Sequence, residues 1–201
     1  VYAYFGSAGV VGALNMSGET VWTADLGAFE TTGGIGSAAS PTLHGDRLYI
    51  VNDNVTASFM VALDKNTGEE IWRVERPERG QNWATPFVWE NAARTEIVTA
   101  GTQGVRSYDV DGNVLWEIHG MSGLTIPTPF AKHGLLYISS GYPGGGLRPV
   151  YVVKPGASGD ISIWSQEDMR TGLSSGFPGT KASSDDVAWA YPLLGTYNTS
   201  A

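Results

Sequence analysis

Several stretches of the 201-residue chain carry residue types that could do chemistry, and each must be weighed against the turn it would also make. Gly172-Leu173-Ser174-Ser175-Gly176 has the G-x-S-x-G spelling of a nucleophile elbow, in which a serine is exposed on a strand-to-helix turn. Residues 166–171 are polar and Phe177-Pro178-Gly179 cannot start a helix, so Ser174 reads as a loop residue. Gly34-Ile35-Gly36-Ser37-Ala38-Ala39 fits G-x-G-x-x-A, but Ser40-Pro41 stands where a dinucleotide fold needs a helix. Asp109-Val110-Asp111-Gly112-Asn113 clusters the hard oxygens that calcium prefers. Its glycine is fourth rather than sixth and no Glu stands twelfth, which favours a hairpin turn. Asn52-Asp53-Asn54 is a second oxygen cluster, in a loop that could take a cation. His44 and His133 occupy like turns, Leu43-His44-Gly45 and Lys132-His133-Gly134, so they read as turn residues and not as a metal pair. Sequons at Asn15, Asn54 and Asn198 matter only in a glycosylating host.

Composition narrows the classes further. Twelve Lys and Arg against 20 Asp and Glu give a net charge of −8, which argues against a nucleic-acid or anionic-membrane surface. Charged residues are 16% of the chain, below the roughly 25% of ordinary soluble domains. Seven Trp and nine Tyr are groups that disordered chains lack, so the 27 Gly punctuate a folded, turn-rich chain. The absence of Cys excludes a disulfide scaffold, Cys-ligated metal sites and thiol catalysis. No apolar run approaches the ~18 residues of a membrane span, and residues 1–14 lack the basic region of a signal peptide. The chain opens on a strand-like run without an initiator Met, which reads as a cut from something longer.

The elements that must position any site are strands. Helical periodicity is scarce, and short β-branched and aromatic runs at 1–5, 10–14, 20–23, 47–51, 59–63, 70–74, 96–99, 105–108, 114–117, 135–139 and 150–153 alternate with Gly, Asn, Asp and Pro. An internal repeat sets the architecture. A small or aromatic residue, Asn or Asp, and a Gly turn lead into a strand carrying Trp at Gly18…Trp22, Gly68…Trp72 and Gly112…Trp116, always four residues apart. A Ser/Thr-Pro mark recurs at Pro41, Pro86 and Pro129, 45 and then 43 residues apart. That period matches a four-stranded propeller blade of roughly 40–50 residues. Glycine closes each hairpin because the turn needs φ > 0. The strands are apolar on both faces, as a sheet packed between two sheets must be. The expectation is an all-β propeller of four-stranded antiparallel blades: 1–26, 39–76, 84–119 and 127–190, with a loop inserted at about 166–186 and 191–201 starting the next blade. For the fourth copy two tryptophans compete, Trp164 and Trp189, and the spacing to Ser200-Ala201 favours Trp189.

The stretch Ala62-Leu63-Asp64-Lys65-Asn66-Thr67-Gly68-Glu69-Glu70-Ile71-Trp72 closely resembles the quinoprotein-type (PQQ-like) propeller repeat. PQQ-dependent alcohol dehydrogenases share that repeat with the outer-membrane assembly lipoprotein BamB. Ser40-Pro41-Thr42-Leu43-His44-Gly45-Asp46-Arg47-Leu48-Tyr49, Trp83-Ala84-Thr85-Pro86 and Gly159-Asp160-Ile161 carry the same likeness. Family propellers have seven or eight blades. The resemblance therefore implies a partial ring of about four blades, the first without its innermost strand and the last incomplete. It also implies a bacterial, periplasmic or otherwise extracytoplasmic setting, with room for a lipid anchor in the parent chain. The family's dehydrogenases hold PQQ over a Trp floor, many with an adjacent-Cys ring, and bind calcium through acidic and amide groups. This chain has no Cys, and none of its Asp or Glu matches the catalytic base or the calcium ligands. The expectation is a non-catalytic scaffold without a cofactor, a PQQ- and calcium-dependent dehydrogenase being the alternative. Its protein partner or small ligand would meet the loop face at Asp53, Asn54, Arg79, Asn82, Gln103, His119 and Arg148, with neither nucleic acid nor a membrane span involved. Trp22, Trp72, Trp116 and Trp189, with Gly18, Gly68 and Gly112, would serve the architecture.

Overall fold

Strands of two to seven residues run the length of the chain, and the computed structural model describes residues 1–78, 80–145, 147–164 and 182–198. Arg79, Ser174 with its flanking glycines, most of the 166–186 insertion and Ser200-Ala201 lie outside the described residues. The first sheet holds β1 (Tyr2–Phe5), β2 (Val10–Leu14) and β3 (Thr20–Asp25). The second holds β4 (Thr42–His44), β5 (Arg47–Asn52), β6 (Phe59–Asp64) and β7 (Glu70–Glu75). The third is built from β8 (Phe87–Glu90), β9 (Thr95–Gly101), β10 (Gly104–Tyr108) and β11 (Val114–His119). In the fourth, β12 (Phe130–Lys132), β13 (Leu135–Ser139) and β14 (Val150–Val153) are followed, after the two-residue β15 (Gly159–Asp160), by β16 (Val187–Tyr191). Pro41, Pro86 and Pro129 stand just before β4, β8 and β12, because proline cannot donate to a ladder and is tolerated where a strand starts. Among the described residues there is no α-helix, only 3₁₀ turns at Thr32–Gly34 and Pro143–Gly145. Among the described residues no helix is long and apolar enough to cross a membrane.

The repeat is a repeat of register. Trp22 pairs with Ala13, Trp72 with Ala62, Trp116 with Ser107 and Trp189 with Val152, and in all four hairpins a β-bulge follows one residue further along the inner strand. Trp189 is therefore the fourth member of the set. Trp164 instead packs against Tyr151, with ring centroids 5.3 Å apart. The hairpin turns are locked alike. Asn15 Oδ1 accepts from the backbone N–H of Ser17 and Glu19, Asp64 Oδ1 from Asn66 and Thr67, and Asp109 Oδ1 from Asp111 and Asn113. These Asx turns give the Asp109 cluster a complete local role, since Asp109 Oδ2 also accepts from Asn113 Nδ2.

Three apolar layers join the four sheets in a row. Leu48, Ile50, Phe59, Val61 and Leu63 of the second sheet face Val11, Tyr2 and Trp22 of the first. Tyr49, Val51, Met60 and Ala62 face Ile97 and Tyr108 of the third. Val98, Val105, Trp116 and Ile118 face Leu136, Ile138, Tyr151 and Val153 of the fourth. Burying one tryptophan removes roughly 150–250 Å² from water, or about 4–6 kcal/mol gross at ~25 cal/mol per Å².

At two joints the tryptophan sits on the next sheet's turn. Trp22 Nε1 donates to Lys65 O at 3.0 Å, and a Cβ added to Gly68 would lie 2.5 Å from its ring. Trp72 Nε1 donates to Val110 O at 2.9 Å, and a Cβ on Gly112 would lie 3.0 Å from its ring. Both glycines combine φ near +80° with a ring where a side chain would start. Trp116 keeps the register but not the partner: it is fully buried and donates to Glu96 Oε2 of its own sheet at 2.6 Å. The reason lies in the next turn, Lys154-Pro155-Gly156, after which the chain leaves the fourth sheet and lays β15 in parallel along β11. The third sheet thereby gains a fifth strand, beyond the four-stranded antiparallel expectation, and β16 completes the fourth sheet later.

Candidate functional site

The loops between the second and third strands of each sheet, and those between sheets, carry the residues with the most chemistry. The loop after β5 turns through Asn52–Ser58 and is stapled by Asn54. Its Oδ1 accepts from the Thr56 and Ala57 N–H groups and the Thr56 hydroxyl, while its Nδ2 donates to Asn52 Oδ1 and Ala57 O. Asn54 is 3% exposed and fixes the loop's shape.

Asp53 points inward. Its carboxylate takes a two-pronged bond from Arg76, Nε to Oδ1 and Nη2 to Oδ2, both 2.8 Å, with both side chains fully buried. Asn82 Nδ2 also donates to Oδ2. Arg76 Nη1 reaches Thr99 Oγ1 at 2.8 Å and the Tyr108 hydroxyl at 2.7 Å, tying the second sheet to the third. Burial works against the Arg76 charge, but the facing Asp53 carboxylate and Tyr108 outweigh it and raise its pKa above the ordinary arginine value. A planar guanidinium with five donors suits this buried fork as lysine would not.

A second buried carboxylate lies one sheet on. Glu96 Oε1 accepts from Asn91 Nδ2 and Arg94 Nε, and Oε2 from Ser107 Oγ and Trp116 Nε1. Arg94 also donates to Ala157 O, clamping the third sheet to the fourth. Neither Arg76 nor Glu96 stands out by motif, yet the repeat marks both. Arg76 occupies the place of Leu26 and Gly120, and all three backbone N–H groups make the same bond, to Ser58 O, Gly9 O and Gln103 O. Glu96 occupies the place of Arg47 and Leu135, each two residues before the one that pairs with the first residue after the Ser/Thr-Pro mark (Val98 with Phe87, Tyr49 with Thr42, Tyr137 with Phe130). For Arg76 the signal is a charge at a repeat position that is uncharged in the other two copies; for Glu96 it is an acid where the other copies have Arg47 and Leu135.

Beside the Asp53 network an open cavity of about 330 Å³ lies between the 52–58 loop and the segment after β7, with Val55, Thr56, Pro77, Glu78, Gly80 and Gln103 on its walls. Gln103 stands exposed at its rim in the left-handed region, φ 75°. Glu78 pairs with Arg106 at 2.6 Å, and Arg106 also pairs with Glu117 at 3.0 Å. His119, at the end of β11, has Nε2 4.0 Å from Glu117 Oε1, and its backbone N–H donates to Ser162 Oγ. The Ser162 side chain and N–H in turn hold Asp160 below the usual carboxylate range. Arg148 is exposed on the β13–β14 connection and pairs through its backbone with Pro192 and Gly195. The structure thus gathers Asp53 and Asn82 into one buried network, sets Asn54 and Gln103 at the adjoining cavity, and leaves His119 and Arg148 apart from it.

The two buried carboxylates do not fit a divalent-cation site. Calcium takes six to eight oxygens, and every oxygen of Asp53 and Glu96 already accepts from protein donors, several of them guanidinium groups. Among the described residues no three His, Asp or Glu come together at ligating range.

Antiparallel sheets packed face to face, with a tryptophan at each joint, define the class: these are blades of a β-propeller, here not closed into a ring. The chain belongs to the PQQ-like repeat family described as outer membrane protein assembly factor BamB, whose sequence profile matches residues 7–147. A europium-containing methanol dehydrogenase superposes with a TM-score of 0.63 at 12% identity, over 98% of this chain and 40% of that one. The quinohemoprotein alcohol dehydrogenase from Comamonas testosteroni gives 0.56 at 18% identity, over 79% and 32%. BamB from Moraxella catarrhalis matches at 18% identity over 80% and 56%, with a TM-score of 0.48. The chain thus spans 40% and 32% of the two dehydrogenases' lengths. Likeness at these identities defines the fold. No curated protein sequence matches the chain.

Proposed function

We propose that the chain is a non-catalytic binding scaffold of BamB-like type, working in the periplasm or another extracytoplasmic compartment and receiving a protein partner or small ligand at its loop face. The observation that supports this reading is the Asp53 network: the one acidic group of the 52–58 loop is spent on Arg76 and Asn82 and holds two blades together. What remains for recognition is the cavity rim, with the amide of Gln103, the hydroxyl of Thr56 and the apolar Val55 and Pro77, the Glu78 carboxylate there being paired with Arg106. Neutral donors and acceptors beside apolar surface suit a peptide backbone or an uncharged small molecule better than an anion, which the net charge of −8 would repel. Arg79 and Arg148 belong to the same proposed face, as does His119. A role in outer-membrane assembly follows from the family's name and is part of the proposal.

The test is a titration of the purified full-length protein with PQQ in the presence of calcium, monitored by cofactor fluorescence and by reduction of an artificial electron acceptor with an alcohol substrate. A scaffold gives neither saturable binding nor dye reduction. Saturable PQQ binding with alcohol-dependent dye reduction would overturn the reading in favour of a quinoprotein dehydrogenase.

A further inference from the structure

The turn between β9 and β10 breaks a rule of local structure, and it does so at the rim of the open cavity. Gly101 pairs with Gly104, so Thr102-Gln103 is a two-residue hairpin turn. Its second residue has φ 75°, a place that glycine normally takes because an L side chain costs free energy there. Hydrogen bonds on both sides keep the turn from relaxing. The Thr102 hydroxyl donates to Gln81 O at 2.8 Å and accepts from the Leu124 N–H at 3.1 Å, while Gln103 O accepts from the Gly120 N–H at 3.0 Å. The Gln103 side chain is exposed and makes no hydrogen bond among the described residues. A glutamine that does nothing for the fold thus stands where the backbone asks for glycine. Strained positions of this kind cluster at ligand clamps. Every described wall of the cavity comes from the second and third sheets and their connection, and both of these sheets have a neighbour on each face.

We propose that Gln103 is the recognition residue of this cavity and that its ligand is an extended, uncharged segment of a peptide chain, an inference that rests on the loop face being a binding surface. A primary amide carries a donor and an acceptor side by side, the pattern that a backbone peptide unit offers in return. Thr56 adds a hydroxyl, and Pro77 with Val55, which is 53% exposed, adds apolar surface for a neighbouring side chain of the ligand. Among the described walls the one charged group, Glu78, is paired with Arg106. No aromatic ring stands among those walls to stack a planar molecule. A volume of about 330 Å³ lies at the small end of ligand cavities, roughly 300–1,000 Å³, and takes a short stretch of chain.

The test compares the full-length protein with its Gln103→Gly and Gln103→Glu variants, by urea unfolding and by isothermal titration calorimetry with the blocked peptide acetyl-Ala-Val-Thr-Val-Ala-amide. Glycine removes both the strain and the side chain. Its unfolding midpoint should rise by about 0.3–0.5 M, the left-handed cost less the gain of a looser unfolded chain, while the peptide binds about tenfold more weakly. Glutamate keeps the strain and the reach but loses the N–H donor, so the midpoint should stay and binding should weaken by about fivefold or more. Three results overturn the proposal: a wild-type protein that does not bind the peptide at millimolar concentration, a Gln103→Gly midpoint no higher than that of the wild type, or variants that bind the peptide as the wild type does. None of them touches the scaffold reading, which falls only to saturable PQQ binding with alcohol-dependent dye reduction.

Discussion

Replacing Asp53 with Asn removes the charge from the centre of the second-to-third sheet joint while changing its shape least. The Arg76 guanidinium would then lie fully buried opposite an amide, having lost two charge-assisted bonds of 2.8 Å. It cannot escape by losing its proton, because a guanidinium stays protonated at any ordinary pH even without the carboxylate that raises its pKa here. Removing one partner of a buried pair costs about 3–5 kcal/mol. Coulomb attraction of about 4 kcal/mol at 4 Å and an effective dielectric of 20 agrees with that range. With a urea slope of about 2–3 kcal/mol/M, the unfolding midpoint followed by tryptophan fluorescence should fall by roughly 1–2 M. Exchanging both partners for apolar residues, Asp53→Leu with Arg76→Met, should recover part of the loss, since no charge is then stranded, although Asn82 Nδ2 and the Tyr108 hydroxyl lose a partner. If Asp53→Asn shifted stability by less than about 1 kcal/mol, the view that this acid serves the joint between sheets would be wrong.

Other perturbations separate neighbouring causes. Gly68→Ala should cost about 2–4 kcal/mol, a left-handed penalty plus the collision with Trp22, whereas Gly18→Ala should cost only the backbone part of about 1–2 kcal/mol; thermal denaturation at low protein concentration compares them. Asp109→Ala should cost about 1–2 kcal/mol through its lost turn bonds, and Asp109→Asn much less, because Asn15 fills the same place in the first sheet. Backbone and side-chain donors of the turn outweigh burial and hold Asp109 below its ordinary pKa; this stability is complete above pH 3.8 and is lost as pH falls through the folded value, a limb that Asp109→Asn should flatten. Burial pushes the Tyr4 hydroxyl up to about 12, against 10.0 when free, so the unfolded chain ionises first and stability should decline between pH 10 and 12. Tyr4→Phe should remove about 1–2 kcal/mol of that decline in urea titrations at pH 9 and 12, a figure reduced for partial solvent screening.

How far the sequence carries depends on whether an interaction is local. The Gly-to-Trp spacing is legible because hairpin, bulge and register all lie within about ten residues at Trp22, Trp72 and Trp116, whereas Trp189 pairs with Val152 across an insertion and is set in the frame only by its spacing to Ser200-Ala201. The Asx turns at Asn15, Asp64 and Asp109 are legible for the same reason. The Asp53–Arg76 pair is not, because its members are 23 residues apart and meet only after two loops fold back. An Asn-Asp-Asn loop therefore looks like an exposed oxygen cluster when it is a buried cross-link. Trp116 is misleading in another way. Its position fits the repeat, but its hydrogen bond is decided by Glu96, at a site where the other sheets have Arg47 and Leu135, and by a following turn that departs from the Asp-Lys-Asn-Thr-Gly pattern.

Indole N–H exchange followed by ¹⁵N NMR tests most directly whether the recurring tryptophans and glycines build the joints between blades. The Nε1 protons of Trp22 and Trp72, bonded to Lys65 O and Val110 O across the sheet gap, should exchange at least about a thousandfold more slowly than free indole, as should Trp116 on Glu96. Exchange of Trp22 and Trp72 at the rate of solvent-exposed indoles in the folded protein would contradict the account.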